Sequence, residues 1–96
     1  MLDANDARMA LALGVVAGRL GRDDVALRSL ERSITLDANS AASYYQLALL
    51  YEKQKALDRA LDSWNRFLEL NPDDMLKVEA QKHIRFLEST KAAPVS

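Results

Sequence analysis

Residues 41–74 read AASYYQLALLYEKQKALDRALDSWNRFLELNPDD. Tyr44, Leu47, Ala48 and Tyr51 recur at three- and four-residue spacing, with Leu50 beside them. After a short polar break the same spacing returns in Leu57, Ala60, Leu61, Trp64, Phe67 and Leu68, and Asn71-Pro72 closes the run. Such a stripe occupies one side of an α-helix. Two helices approach closely only where a small side chain on one admits a large one from the other. Ala48 and Ala60 set among Tyr44, Tyr51 and Trp64 therefore predict an antiparallel helical hairpin.

Laid on itself so that Ala7 meets Ala41, the chain aligns 7–40 with 41–74 without a gap. Ala7/Ala41, Leu13/Leu47, Asp24/Asp58, Ala26/Ala60, Leu27/Leu61, Ser29/Ser63, Arg32/Arg66 and Leu36/Leu70 are identical. Gly14/Ala48 keeps the small position and Leu30/Trp64 the large one. A fixed period of this length is the mark of a helical solenoid.

The stretch resembles the tetratricopeptide repeat. Tyr44, Leu47, Ala48, Tyr51, Ala60, Trp64 and Pro72 match that family's pattern in order and spacing. The first copy departs from it at Ala10, Ala17 and Ala38, where the second copy has Tyr44, Tyr51 and Pro72. Smaller residues there imply closer helices. The resemblance implies an all-α, right-handed solenoid of helical hairpins with five helices. One domain is expected over 1–89: repeat one at 7–40, repeat two at 41–74 and a capping helix at 73–89. A flexible tail is expected over 90–96.

The remaining boundaries follow from local signals. Helix one is expected over about 6–20, capped by Asn5 or Asp6, with a core stripe of Met9, Ala10, Leu13, Val16, Ala17 and Leu20. Gly21 ends it. Asp23 or Asp24 is expected to cap helix two, over about 23–36, and helices three and four are expected over about 41–54 and 58–70. Asn71 is expected to cap helix five with Pro72 in its first position. At the offset that aligns the two repeats, helix five offers Gln81, Lys82 and Arg85 where the pattern needs apolar residues, so it is expected to cover the last hairpin rather than begin another.

Composition removes several function classes. The 96 residues carry a net charge of −1, so there is no field to draw nucleic acid or an anionic membrane. With no cysteine, disulfides and thiolate chemistry are excluded. The longest apolar run, over 9–18, is too short for the roughly 20 residues of a membrane span, and the acidic lead before it does not read as a signal peptide; a cytoplasmic location is expected. No phosphate loop or nucleophile–base motif is present, so neither an enzyme nor a cofactor is expected. His83, the one histidine, lies on the apolar side of helix five and is expected to be a packed, hydrogen-bonded residue.

In the family, the first helix of each repeat lines a concave groove that holds a segment of another protein. Carried over, this groove is Leu11, Ala12, Val15, Gly18 and Arg19 from helix one and Tyr45, Gln46, Leu49, Glu52 and Lys53 from helix three. Leu11, Val15, Tyr45 and Leu49 are expected to form an exposed apolar strip. Leu11 and Val15 stand where the family's carboxylate clamp needs polar groups, so no clamp is expected. The expected function is a scaffold or adaptor for a protein or peptide partner. The alternative is a structural module that pairs with itself or with further repeats. In the first reading Tyr45→Ala weakens the partner and spares the fold.

Overall fold

Breaks at 20–22, 37–40, 54–56 and 70–73 divide the chain into five α-helices in a computed structural model, which describes residues 6–92. They are α1 (Ala7–Arg19), α2 (Asp23–Leu36), α3 (Ala41–Lys53), α4 (Leu57–Glu69) and α5 (Asp74–Ala92). The all-α hairpin architecture expected from the sequence is what forms.

The helix ends show how the sequence stops each element. Gly21 takes φ 76°, while Gly21 N–H bonds the Gly18 carbonyl and Arg22 N–H bonds that of Ala17. This paired pattern satisfies the last carbonyls of α1. At the matching place in the second repeat, Lys55 repeats the turn at φ 61°, with Lys55 and Ala56 N–H bonding the Glu52 and Tyr51 carbonyls. Asn71, at φ 55°, ends α4 with the first of these bonds alone, its N–H on the Leu68 carbonyl, because Pro72 has no N–H to make the second. The sequence reading therefore misplaced two residues. Asn71 ends α4 rather than starting α5, and Pro72 lies before the helix. The cap of α5 is Asp73, whose Oδ1 accepts from Leu76 N–H at 3.0 Å. Asp23 and Asp24 are not caps either. They sit in the first turn of α2, where carboxylates favour the positive helix end, and Arg22 occupies the cap position. Asp6 does cap α1, accepting from Arg8 N–H at 2.8 Å, while Asn5 lies outside the described residues.

Helices α1–α2 and α3–α4 form hairpins, and α3 stacks on α2 as α5 stacks on α4. The result is elongated, 54 × 28 × 19 Å, with two cores strung along it. Ala17, Ala26, Leu30, Leu47 and Leu50 make the first, from α1, α2 and α3. Ala48, Ala60, Trp64, Phe67, Ala80 and Leu87 make the second, from α3, α4 and α5. Helix α3 serves both, with Leu47 and Leu50 turned one way, Ala48 the other and Tyr51 touching each. Each unit thus depends on its neighbours alone, as in other solenoids. Gly14 is the first repeat's closest approach: a Cβ there would lie 2.7 Å from Leu30 Cγ.

Helix α5 is in register once its cap is known. Asp6, Ser40 and Asp73 cap α1, α3 and α5, and the step from Ser40 to Asp73 is one position shorter than that from Asp6 to Ser40. The shorter second interval moves Leu76, Ala80, Ile84 and Leu87 onto α4 and turns Gln81 and Lys82 away from it. The helix also runs three residues past its expected end at Ser89. Thr90 Oγ1 bonds the Phe86 carbonyl at 2.9 Å, and Lys91 pairs with Asp58 at the start of α4. The rest of the expected tail, 93–96, lies outside the described residues.

The expected stripe of α1 divides in two. Ala10, Gly14 and Ala17 are buried, whereas Met9, Leu13, Val16 and Leu20 are exposed. An apolar helix without charged residues between its ends gives no signal of which side turns outward, and the close approach at Gly14 sets the rotation.

Candidate functional site

Helices α1 and α3 open the two hairpins, α5 follows the second, and the three share one face of the array. Glu79 of α5 reaches back to α3, where its Oε1 accepts from Tyr45 Oη at 2.8 Å. Lys53 Nζ of α3 lies 3.0 Å from Asp23 Oδ1 at the α1–α2 corner.

Two clefts open on this face. A cleft of about 230 Å³ lies between α1, α2 and α3. Gly14, Gly18 and Ala26 leave it a floor of small residues, Val15, Leu30 and Leu49 wall it, and Arg19, Gln46 and Lys53 stand among its lining. A second of about 420 Å³ lies between the start of α3 and the α4–α5 turn, lined by Ala42, Tyr45, Gln46, Phe67, Pro72 and Leu76 among others. Gln46 lines both clefts, so they adjoin. The first combines apolar walls with two cations, one already paired with Asp23. The second is mostly apolar.

The sequence-predicted groove residues separate into three groups. Val15, Arg19, Gln46, Leu49 and Lys53 come together at the first cleft, and Tyr45 with Gln46 at the second. Leu11, Ala12 and Glu52 line neither. Leu11 packs on the first core instead, and Ala12 is exposed. The expected greasy strip of Leu11, Val15, Tyr45 and Leu49 is half-buried, because Leu11 packs on the first core and Tyr45 and Leu49 on the second. Phe67, Pro72 and Leu76 of the second cleft were not anticipated. Their signal was the Pro72 turn, which brings the start of α5 alongside the start of α3.

Two groove residues have structural work. The Tyr45 ring meets Trp64 edge-on at 5.4 Å and Phe67 at 5.6 Å. Burial, then the hydrogen bond to the Glu79 carboxylate, holds its phenol above the usual tyrosine range. Removing the ring would therefore disturb the second core, against the expectation that Tyr45→Ala spares the fold. Glu52 Oε2 accepts from Trp64 Nε1 at 2.7 Å and lies 2.8 Å from His83 Nδ1. The His83 ring stacks over Trp64 with centroids 4.7 Å apart. One carboxylate oxygen thus ties α3 to both α4 and α5, and His83 is packed and hydrogen-bonded as its place on α5 implied. A second polar seam, Ser40–Ser43–Ser33, crosses between α3 and α2 with both oxygen–oxygen distances 2.7 Å.

No described helix is long and apolar enough to cross a membrane. Residues 41–74 match the family model for the tetratricopeptide repeat. No curated protein matches the chain.

Proposed function

We propose that this chain, which belongs to the tetratricopeptide-repeat family, is a scaffold that binds a segment of a partner protein across the α1–α3–α5 face. Tetratricopeptide repeats are in general non-catalytic protein-interaction modules. The observation that carries the finer reading is the pair of adjoining clefts on one face, joined at Gln46. Together they suit a segment that sets apolar side chains into both. Arg19, with no partner among the described residues, favours an acidic group on that segment beside the first cleft.

The clefts are built on helices, so their shape is held by the two cores and changes little on binding. Peptides selected from a random library on the wild-type chain supply the ligand for a test. Arg19→Glu, Gln46→Lys and Ala42→Lys should each weaken the selected peptide about tenfold or more, the scale of about 1.4 kcal/mol. Arg28→Ala, on the exposed side of α2, should leave it unchanged. Equal affinity for all four variants would overturn the assignment of this face.

A further inference from the structure

The first cleft lies at a place that is filled in the second repeat. At the offset that aligns the repeats, Gly14, Gly18 and Leu30 stand where the second has Ala48, Glu52 and Trp64. Helix α5 follows α3 one position sooner than α3 follows α1, so Leu50, which also lines the cleft, answers to His83. Between α3, α4 and α5 these larger residues close the junction. Trp64 is fully buried, its Nε1 donates to Glu52 Oε2 at 2.7 Å, and the His83 ring lies over the indole. Between α1, α2 and α3, one leucine replaces the indole, another replaces the imidazole, and glycine replaces the carboxylate that joins them. The opening of about 230 Å³ is what those smaller residues leave. A Cβ on Gly18 would meet nothing nearer than Ala26 Cβ, at 3.9 Å.

We propose, on the reading that this face binds a partner segment, that the first cleft receives one aromatic side chain of that segment, with a carboxylate on the residue beside it. The chain's own second repeat shows what such a junction holds: an indole that shares its core with Ala48 and Ala60, the counterparts of Gly14 and Ala26. Size agrees. An apolar cavity of about 150 Å³ admits benzene, and this larger cleft admits a two-ring side chain. Val15, Leu30 and Leu49 supply apolar walls for the ring. Gln46, also in the lining, offers a carboxamide oxygen to an indole N–H or a phenol. Arg19 is exposed at the same cleft, where its guanidinium can lie over an aromatic face and pair with the neighbouring carboxylate. An aliphatic side chain would gain nothing from that cation. A ring also brings a large contact area with few torsions to freeze, as the anchors of peptide interfaces do.

Indole-3-propionate, which joins a two-ring aromatic to a carboxylate, probes the cleft alone. Titrated into the intact chain, it should shift the amides of Val15, Gly18, Gln46 and Leu49 and saturate with a Kd of about 1 mM, the scale for a ligand of this size. Of two smaller probes matched in size and charge, 3-phenylpropionate should bind about threefold tighter than 3-cyclohexylpropionate, the cation–ring contribution. Neither measurement needs a variant. Gly18→Leu fills the cleft from within. It should abolish the probe's shifts and melt no lower than wild type, since leucine is the better helix former and the second repeat carries the long side chain of Glu52 at this position. Arg28→Ala should bind the probe like wild type. Peptides selected on the chain should share an aromatic residue beside an acidic one, and Gly18→Leu should weaken them about tenfold or more. Probe shifts elsewhere than the first cleft would overturn the proposal. So would cyclohexyl binding as tight as phenyl, or a folded Gly18→Leu chain that binds probe and peptides like wild type. Those failures leave the partner-binding face standing wherever selected peptides still shift Ala42 and Leu76 at the second cleft. Peptides that miss the face altogether would overturn that reading, and the probe would still decide the pocket.

Discussion

Replacing Glu52 tests whether this residue binds a partner or holds α3, α4 and α5 together. Trp64 is fully buried, so Glu52→Ala leaves its indole N–H in the core with no acceptor. An unsatisfied buried donor costs about 1–3 kcal/mol. His83 keeps access to water, so loss of its contact adds about 0.5 kcal/mol at most by the same reasoning. Alanine's better helix propensity returns about 0.4 kcal/mol. The net is a loss of about 1–3 kcal/mol, which for a chain of this size lowers Tm by about 4–20 °C. Glu52→Gln keeps an oxygen for Trp64 and should cost less than half as much. Urea unfolding followed by the fluorescence of Trp64, the single tryptophan, and by circular dichroism measures both. Combining Glu52→Ala with Trp64→Phe should give less than the sum of the two, since the second change removes the orphaned donor. A Glu52→Ala variant within about 0.5 kcal/mol of wild type, or full additivity in the double variant, would refute the reasoning.

Three further outcomes follow from the backbone and the core. Lys55 holds φ 61°, which costs a non-glycine residue about 1–2 kcal/mol, so Lys55→Gly should raise stability by about 0.5–1 kcal/mol even after glycine's greater unfolded-state entropy. A lower urea midpoint for Lys55→Gly would contradict this. Gly14→Ala and Gly18→Ala gain the same helix propensity, but only the first drives a Cβ into Leu30; the second meets its nearest neighbour at 3.9 Å. Gly14→Ala should therefore be less stable than Gly18→Ala by about 1–3 kcal/mol in thermal unfolding, and equal stabilities would mean that α1 and α2 are farther apart. The raised Tyr45 pKa means that the folded state holds the phenol proton more tightly than the unfolded state. That stability is present below the ordinary tyrosine pKa of about 10 and is lost as pH rises through the folded value. Tyr45→Phe should flatten the fall in urea midpoint above pH of about 10, and an unchanged slope would count against a phenol held above its ordinary range by burial and the Glu79 bond.

The second repeat was legible because its large and small residues alternate at the contacts that matter, with Ala48 of α3 and Ala60 and Trp64 of α4 buried together in the second core. Where the sequence misled, a second physical role competed for the same residue. Asn71 is a good helix cap and also one of the few residues comfortable at positive φ, and the end of α4 claims it. The face of α1 was ambiguous because the helix is apolar all round; only the clash a Cβ at Gly14 would make with Leu30 shows its rotation. Helix α5 could not be aligned at the offset of the two repeats because α4 is one residue shorter than α2, while the breaks that follow them, 37–40 and 70–73, are equal in length. For the candidate site, Val15, Arg19, Gln46, Leu49 and Lys53 were legible as what remained after the core was assigned. Tyr45 was legible as a lining residue, of the second cleft, but the structural roles of Tyr45 and Glu52 were not, because their partners Glu79, Trp64 and His83 lie on other helices.

The α1–α3–α5 face is tested most directly by amide chemical-shift mapping of the wild-type chain titrated with a selected peptide. Contiguous shifts at Val15, Gly18, Gln46 and Leu49, extending to Ala42 and Leu76, are the predicted result. Shifts confined to the opposite side of the array, around Arg28, Arg32, Arg59 and Asp62, would contradict the account.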